Sequence, residues 1–259
     1  MALIDRAGEL SRAAVGAVGF CTRLPVGHRP ADWQAFQRVP AAMVLAAYPI
    51  GALAAVPVAI GLPVATAAFL FPVWLSLLTG ITHLDGLADL GDAAAVHGDS
   101  QKRRDVMTDS AVGVGGVAAV ALAVLGLALA AATLAVGHWV VSVAIVLTAE
   151  VSAKVCVVGA VAVGEPTHEG LGSALSAGAG PATLAAGIAF GSPLVGLAIV
   201  PSVPPVVPAA AFAGSVLGAG LVLAWARRYL GGVSGDVFGA INELSRVLAL
   251  HAGVIAWTI

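Results

Sequence analysis

The sequence predicts an all-α, polytopic integral membrane helix bundle with about seven transmembrane helices and cytoplasmic active-site loops. In composition, 59% of the residues are hydrophobic, 10% are charged and the mean hydropathy is +1.00, whereas soluble domains carry about 25% charged residues. Three windows, residues 39–84, 110–149 and 170–226, contain no Asp, Glu, Lys or Arg. Each window can hold one or two helices of about 20 residues, the length that crosses a bilayer. The 32 glycines suit close helix packing in lipid. These observations predict a single membrane domain over residues 1–259.

Residues 1–38 are predicted to form a cytoplasmic or interfacial segment, because they carry five arginines against three acids. A short amphipathic pattern at 10–20 suits the membrane interface. The chain start lacks a cleavable signal pattern, so we expect it to be kept.

The net charge of -2 predicts no nucleic-acid partner. Cys21 and Cys156 lack metal-ligand spacing and are predicted to be free thiols.

The apolar windows divide into seven predicted spans. The charged loops 79–116, 164–180 and 227–240 then all lie on the cytoplasmic side, and only tight links remain on the other side. We therefore predict a multi-pass protein of the cell membrane whose active site faces the cytoplasm. The first six predicted spans are about 40–60, 63–81, 114–136, 138–161, 181–200 and 204–226, and a last segment at about 238–259 crosses or re-enters.

Glu150 and Lys154 are the only charged residues inside the first six predicted spans. Glutamate comes first and lysine four residues later, so the two share a helix face and can neutralise one another. The spacing favours a structural pair near the cytoplasmic end over a pair of substrate contacts. A transporter or divalent-cation channel would have more acidic residues deep in its spans, which makes that class the least favoured alternative.

Residues 79–116 hold six of the fourteen acidic residues. Three of them, Asp85, Asp89 and Asp92, have the spacing i, i+4, i+7 and lie on one helix face, which we call the acidic stripe. Three carboxylates repel one another unless a cation lies among them, and oxygen ligands favour a hard ion such as Mg²⁺. A solvated acidic face is the alternative. His83 precedes the stripe by two residues and is a further candidate.

Basic and glycine-rich segments accompany the acidic stripe. The run at 102–104 is followed by Asp109, Ser110 and the glycines of 113–116, which open a helix whose amides suit a phosphate. The sequence GGVSGD at 231–236 offers amides again. Each segment alone is a weak signal, because basic residues often flank spans and glycines let helices approach. Together with the stripe, they favour phosphoryl transfer to or from a phosphate ester.

Two blocks, HLDGLADLGDA at 83–93 and RRDVMTDSAVGVGG at 103–116, resemble the signature of the cobalamin synthase family, the adenosylcobinamide-GDP ribazoletransferases. The similarity extends to TRLP at 22–25, EGLG at 169–172 and LGGVSGDVFGA at 230–240. The blocks follow the family's order and nearly span the chain.

The resemblance implies an integral membrane enzyme that requires Mg²⁺. It would join α-ribazole, or its 5′-phosphate, to adenosylcobinamide-GDP, release GMP and form adenosylcobalamin or its 5′-phosphate. The two substrates and the lipid bilayer would be its partners, and a homo-oligomer stays open. Asp85, Asp89 and Asp92 would be catalytic metal ligands, one of them taking the proton of the ribazole hydroxyl, with His83 beside them. The implied substrate-binding residues are Arg23, Arg104, Asp109, Ser110, Gly232, Gly235 and Asp236.

Some positions depart from the family pattern. Ala153 stands where arginine is usual, with Lys154 one residue later, and Arg246 stands where an acid is common. The alternative within the same reaction class is a CDP-alcohol-type membrane phosphotransferase. That class would show Ala-Arg directly after Asp85-Gly86, and this chain has Leu87-Ala88 instead.

Overall fold

The computed structural model describes residues 2–259. This part of the chain is helical, with one isolated bridge between Pro166 and Val233 and no strand. Its elements are α1 (Ala2–Cys21), α2 (Pro30–Arg38), α3 (Ala42–Ala54), α4 (Val56–Ala59), α5 (Val64–Thr79), α6 (Thr82–Ala95), α7 (Ser100–Met107), α8 (Val114–Ala135), α9 (Trp139–Val163), α10 (Leu171–Ser176), α11 (Pro181–Gly191), a 3-10 segment (Ser192–Ile199), α12 (Val206–Tyr229) and α13 (Gly235–Thr258).

Four helical segments are long and apolar enough to cross a membrane: α8, α9, α12, and α11 together with the 3-10 segment. The pair α5 and α6 bends by 103° and raises the count to five if the pair is one span. These segments indicate a membrane protein. Helix α3 has 13 residues, fewer than the roughly 20 that a crossing needs, and α13 carries charged side chains. The predicted count of about seven is higher than this count and stays a prediction.

Two of the predicted spans are interrupted. The span at 40–60 is split into α3 and α4, and Pro57 is the second residue of α4. The span at 181–200 is α-helical only as far as Gly191 and continues as the 3-10 segment, in which Pro193 follows Ser192. Proline lacks an amide hydrogen and clashes with the preceding turn, which favours a break at these two positions, although α3 and α5 continue through Pro49 and Pro72.

Helix α9 is the centre of the bundle. Of its most apolar window, 78% is buried inside the protein, against 6% for the segment Pro181–Ile199. It packs against α3, α11, α12 and α13. Because α9 is surrounded on most sides, any charged side chain on it must find its partners within the protein.

Helices α12 and α13 approach closely through small residues. The Cα atoms of Gly214 and Gly218 face the backbone of Leu248 and Leu244 on α13. The hydroxyl of Ser215 lies 2.6 Å from the Ser152 hydroxyl of α9 and donates to the Ser245 carbonyl at 3.3 Å. Small residues and interhelical hydroxyl contacts hold helices together in lipid, where the hydrophobic effect does not.

Replacing Gly218 with alanine is expected to destabilise this contact. An added Cβ would lie 2.9 Å from the Leu244 carbonyl, so the helices must separate, at a cost of about 1–3 kcal/mol. Gly220 is the matched control, because it lies on the same helix with open space around its Cα, and alanine there should be neutral or slightly stabilising. Thermal unfolding of the detergent-solubilised variants measures both. Equal melting temperatures would show that the close approach contributes nothing.

The charged loops meet at one end of the bundle. Residues 164–180 pair with 227–240, since the Val233 amide donates to the Glu165 carbonyl at 2.8 Å and the Thr167 amide to the Val233 carbonyl at 3.0 Å. Arg104 of α7 donates to the Leu230 carbonyl at 2.6 Å. Three segments that are distant in sequence therefore come together at this end of the bundle.

Helices α1 and α2 pack on each other, and α1 packs on α3. An aromatic group of Phe20, Trp33 and Phe36, with ring centroids 5.4–5.7 Å apart, joins the two helices. The predicted amphipathic segment 10–20 is part of the continuous helix α1, and its location at the membrane interface stays a prediction. Cys21 and Cys156 are free thiols, as predicted.

Candidate active site

The site begins where α5 gives way to α6. Gly80 joins the two helices with φ 72°, in the left-handed region that favours glycine. The backbone amide of Arg23 donates to the Leu78 carbonyl at 2.8 Å, and a Cβ at Gly80 would lie 2.6 Å from the Arg23 side-chain nitrogen Nε. The N-terminal segment thus covers the turn that directs α6 away from α5.

Helix α6 carries the acidic stripe past the start of α13. A Cβ at Gly86 would lie 2.6 Å from the Asp236 carbonyl, and one at Gly239 would lie 3.1 Å from the His83 carbonyl. This close approach brings Asp236 next to the stripe. We call Asp85, Asp89, Asp92 and Asp236 together the acidic cluster.

The carboxylates of the acidic cluster repel one another. Burial, followed by the charges of Asp236, Asp85 and Asp92, raises the pKa of Asp89 to about 7. Asp85 is exposed, and Asp89 is partly buried. A group of carboxylates whose ionisation is opposed in this way would be stabilised by a cation.

Asp92 also forms hydrogen bonds with the first residues of α8. Its two carboxylate oxygens accept hydrogen bonds from the amides of Gly113 at 2.7 Å and Gly116 at 2.8 Å. These amides begin α8 and have no partner within that helix. The carboxylate therefore caps α8 and fixes its start against α6. A metal-ligand role for Asp92 stays a prediction, because each carboxylate oxygen retains a second lone pair.

Asp92→Ala is expected to destabilise the protein by about 1–2 kcal/mol, because it removes the cap of α8. Asp92→Asn keeps one carbonyl oxygen as acceptor and should therefore lose less stability. The matched control is Asp99→Ala, which uncaps α7, an exposed helix of 8 residues, by removing the acceptor of the Lys102 amide. Thermal unfolding compares the three variants. A larger loss for Asp99→Ala than for Asp92→Ala would contradict this assignment.

The donors of the acidic cluster fit a Mg²⁺ ion. In residues 2–259, no three side chains of His, Cys, Asp or Glu are already arranged around one point for a metal. Mg²⁺ does not need such a set, since it is usually held by one or two carboxylates, waters and substrate phosphates. The carboxylates of Asp85 and Asp89 accept no hydrogen bond from a protein amide in the described chain, so their oxygens are available.

Beneath the acidic cluster lies a buried polar cluster formed by His83, Glu150, Lys154, Asn242, Glu243 and Arg246. Arg246 is 1% exposed and donates to both oxygens of Glu150 and to Glu243. The prediction that Glu150 and Lys154 neutralise one another is wrong, since a guanidinium on α13 supplies two donors to Glu150, which is the geometry that a carboxylate prefers. The prediction also counted too few buried charges, because Glu243 and Arg246 lie in the same cluster.

Lys154 instead contacts Asn242 and His83. Its ammonium lies 2.6 Å from the Asn242 oxygen Oδ1 and 3.4 Å from the His83 nitrogen Nε2. The other imidazole nitrogen, Nδ1, is buried, has no hydrogen-bond partner and lies 3.9 Å from Glu243. Burial lowers the pKa of His83 well below its usual value, as do the charges of Lys154 and Arg246, so the imidazole is neutral.

A cavity of about 420 Å³ joins the two clusters. Its polar lining is Thr82, His83, Asp85, Lys154 and Asp236, and the rest is apolar or glycine. A second cavity, of about 490 Å³ between α9, α11 and α12, has no charged lining and shares no lining residue with the first. The chemistry of the site therefore belongs to the first cavity, whose remaining lining residues are Gly19, Phe20, Cys21, Met43, Val157, Leu171, Gly172, Leu175, Gly235, Phe238 and Gly239.

Gly235 and Asp236, which the sequence predicts to bind substrate, line this cavity. Gly232 is buried, and a Cβ there would lie 2.2 Å from the Glu165 carbonyl, so it serves loop packing. Asp109 and Ser110 are exposed beyond α7 and are not among the cavity's lining residues.

The two arginines of α7 bind other parts of the protein. Arg103 donates to the Ala93 carbonyl and lies over the Tyr229 and Trp225 rings, with its guanidinium carbon 5.2 and 5.9 Å from their centroids. Arg104 donates to the Leu230 carbonyl. Both arginines fasten α7 across the ends of α6 and α12. The predicted substrate contacts of Arg23, Arg104, Asp109 and Ser110 stay predictions.

Comparisons with known proteins agree on one family. Residues 13–254 match the family model described as Cobalamin-5-phosphate synthase. The adenosylcobinamide-GDP ribazoletransferase of Halorubrum lacusprofundi is 48% identical over 94% of this chain and 96% of its own length. The proteins of that name from Haloquadratum walsbyi and Methanocella arvoryzae are 41% and 35% identical, over 93% and 97% of this chain and 96% and 98% of their own lengths. No solved structure matches the chain significantly.

Proposed function

The chain belongs to the cobalamin-5-phosphate synthase family of transferases, and from this premise we propose that it joins α-ribazole or its 5′-phosphate to adenosylcobinamide-GDP. A ribazole hydroxyl would attack the phosphorus attached to the corrinoid. The bond from that phosphorus to the oxygen of GMP breaks, and the hydroxyl proton goes to one of the aspartates. The products are GMP and adenosylcobalamin, or its 5′-phosphate.

The observation that supports this proposal most strongly is the cavity shared by the acidic cluster and the buried polar cluster. Asp85 and His83 line it from α6, Asp236 lines it from α13 and Lys154 lines it from α9. A phosphoryl transfer needs negative oxygens to be held and neutralised while the reacting groups are aligned. This cavity offers carboxylates for a metal and an ammonium for a phosphate within one space.

Asp85, Asp89 and Asp92 would hold the Mg²⁺ ion, and Asp236 lies beside them. When bound, the ion would supply neutralisation of the charge on the phosphate oxygens. The carboxylate that accepts the proton must lie within hydrogen-bond reach of the ribazole hydroxyl. The apolar part of the lining excludes water from the transfer and suits a flat aromatic base.

The enzyme would be a multi-pass protein of the cell membrane with its active site facing the cytoplasm. About seven crossings would result if α3 with α4, α5 and α13 also cross. The gathering of the charged loops at one end of the bundle supports this orientation. An impermeant thiol reagent should label Asp99→Cys in inverted vesicles and leave it unlabelled in right-side-out vesicles, and the reverse pattern would exclude the proposed orientation.

Donor selectivity tests the reaction class. We expect the purified protein in liposomes to convert adenosylcobinamide-GDP and α-ribazole phosphate to a completed corrinoid, and to leave CDP-alcohol donors unchanged. Mass spectrometry of the corrinoid and of the released nucleotide measures both. Release of CMP from a CDP-alcohol without corrinoid turnover would replace this proposal with a phospholipid-type phosphotransferase, and ion flux without turnover would replace it with a transporter.

A further inference from the structure

Lys154 occupies an unusual position for a charged residue. It lies in the middle of α9, the most buried helix, and is 3% exposed. Ionisable residues inside membrane helices are costly and usually mark function. Within residues 2–259, no carboxylate lies within the 4.0 Å of an ion pair from its ammonium.

The two side chains that hold the Lys154 ammonium are both uncharged. Asn242 is an amide, and its oxygen accepts from Lys154 while its nitrogen donates to Glu243 at 3.1 Å. The amide therefore stands between the ammonium and that carboxylate. Because an ammonium can only donate, His83 must accept at Nε2 and carry its proton on the buried Nδ1. These contacts fix the position of the ammonium without neutralising it.

The nearby carboxylates already have a cation. Glu150 and Glu243 are both bound by Arg246, which lies between them. A lysine needed only for overall charge balance would be expected to contact one of them directly, since attraction falls with distance. Lys154 instead lines the cavity on the opposite side of Asn242 from Glu243, and it is the only Lys or Arg among the lining residues there.

We propose that Lys154 is a substrate-binding residue and that its ammonium donates to a phosphate oxygen of the substrate in this cavity. An ammonium has three N–H groups, and the two protein contacts use two of them. The third is free for the cavity. This inference rests on the proposed function, which brings two phosphate-bearing molecules to the site: the pyrophosphate of the donor and the 5′-phosphate of the acceptor.

Steady-state kinetics of Lys154→Met tests this proposal. Loss of a charge-assisted hydrogen bond is expected to raise the KM of the substrate that it binds by roughly ten- to hundredfold. Lys154→Arg should recover part of the affinity. Ser152→Ala is the control, because Ser152 is buried on the same helix and does not line the cavity, and its KM values should stay unchanged.

The choice of acceptor separates the two sources of phosphate. If Lys154 binds the donor, the KM of adenosylcobinamide-GDP rises with either acceptor. If it binds the acceptor, the rise affects α-ribazole phosphate and is absent with α-ribazole. Unchanged KM values for every substrate in a folded, active Lys154→Met enzyme would overturn the inference. Absence of turnover in the unmodified enzyme would instead refute the proposed function.

A second pair of variants tests the inference if the Lys154→Met protein does not fold. Should Lys154→Met fail to fold because the buried polar cluster is left with excess negative charge, the double variant Lys154→Met, Glu243→Gln restores the balance. Its KM values are then compared with those of Glu243→Gln alone, and the same ten- to hundredfold rise is expected. Equal KM values in these two variants would overturn the inference as well.

Discussion

Asp85→Ala and Asp89→Ala are each expected to lower turnover by about a thousandfold or more while leaving a folded, membrane-inserted protein. Each change removes an oxygen ligand from the proposed metal site, and a metal ion supplies several kcal/mol of charge neutralisation in phosphoryl transfer, with each 1.36 kcal/mol corresponding to about tenfold in rate. Because Asp89 lies among three other carboxylates, its removal also relieves repulsion. The melting temperature of the metal-free Asp89→Ala protein should therefore equal or exceed that of the unmodified protein.

The matched control for these variants is Asp105→Asn. Asp105 is an exposed acid on α7 whose carboxylate accepts from Gln101, and its loss should leave turnover unchanged. Corrinoid product formation and thermal unfolding are measured on the same preparations. Retained turnover in both Asp85→Ala and Asp89→Ala would remove the metal assignment from the acidic stripe.

Arg246→Met is expected to have the largest effect on stability, a loss of about 3–5 kcal/mol. The substitution leaves Glu150 and Glu243, which are 1% and 2% exposed, without the guanidinium that binds them both. Carboxylates buried without a partner oppose folding strongly. We expect a large fall in melting temperature or failure to obtain a monodisperse protein in detergent.

Two variants make this result specific. Arg38→Met removes an exposed arginine that pairs with Glu9 at 2.7 Å, and surface pairs of this kind contribute about 1 kcal/mol or less. The double variant Glu150→Gln, Arg246→Met removes one charge of each sign and leaves Glu243 and Lys154 to balance one another, so it should recover part of the stability. An Arg246→Met protein as stable as Arg38→Met would contradict the ion-pair assignment.

The helical class was predictable from the sequence because lipid excludes charge, so windows without charged residues correspond to apolar helices. The predicted bounds of α8 and α9, which contain no proline, lie within two residues of the observed ones. The segment 40–60 looks like one span by composition, yet it breaks between Ala54 and Val56. Hydropathy averages over a window and does not register a local break.

The candidate site was predictable where it depends on local spacing. Asp85, Asp89 and Asp92 lie on one face of α6, as their i, i+4, i+7 pattern requires. The pairing of Glu150 with Arg246 was not predictable, because it depends on how α9 packs against α13, 96 residues away. The same is true of the contact between Lys154 and Asn242, for which no spacing within one helix gives a signal.

Release of GMP by the purified protein is the decisive test of the proposed reaction. The protein in liposomes is given adenosylcobinamide-GDP and α-ribazole phosphate, with Mg²⁺ or with a chelator. We expect equal amounts of GMP and completed corrinoid with Mg²⁺, and neither product with the chelator. Equal turnover in the presence of the chelator, or no product from a folded protein with intact substrates and Mg²⁺, would contradict it.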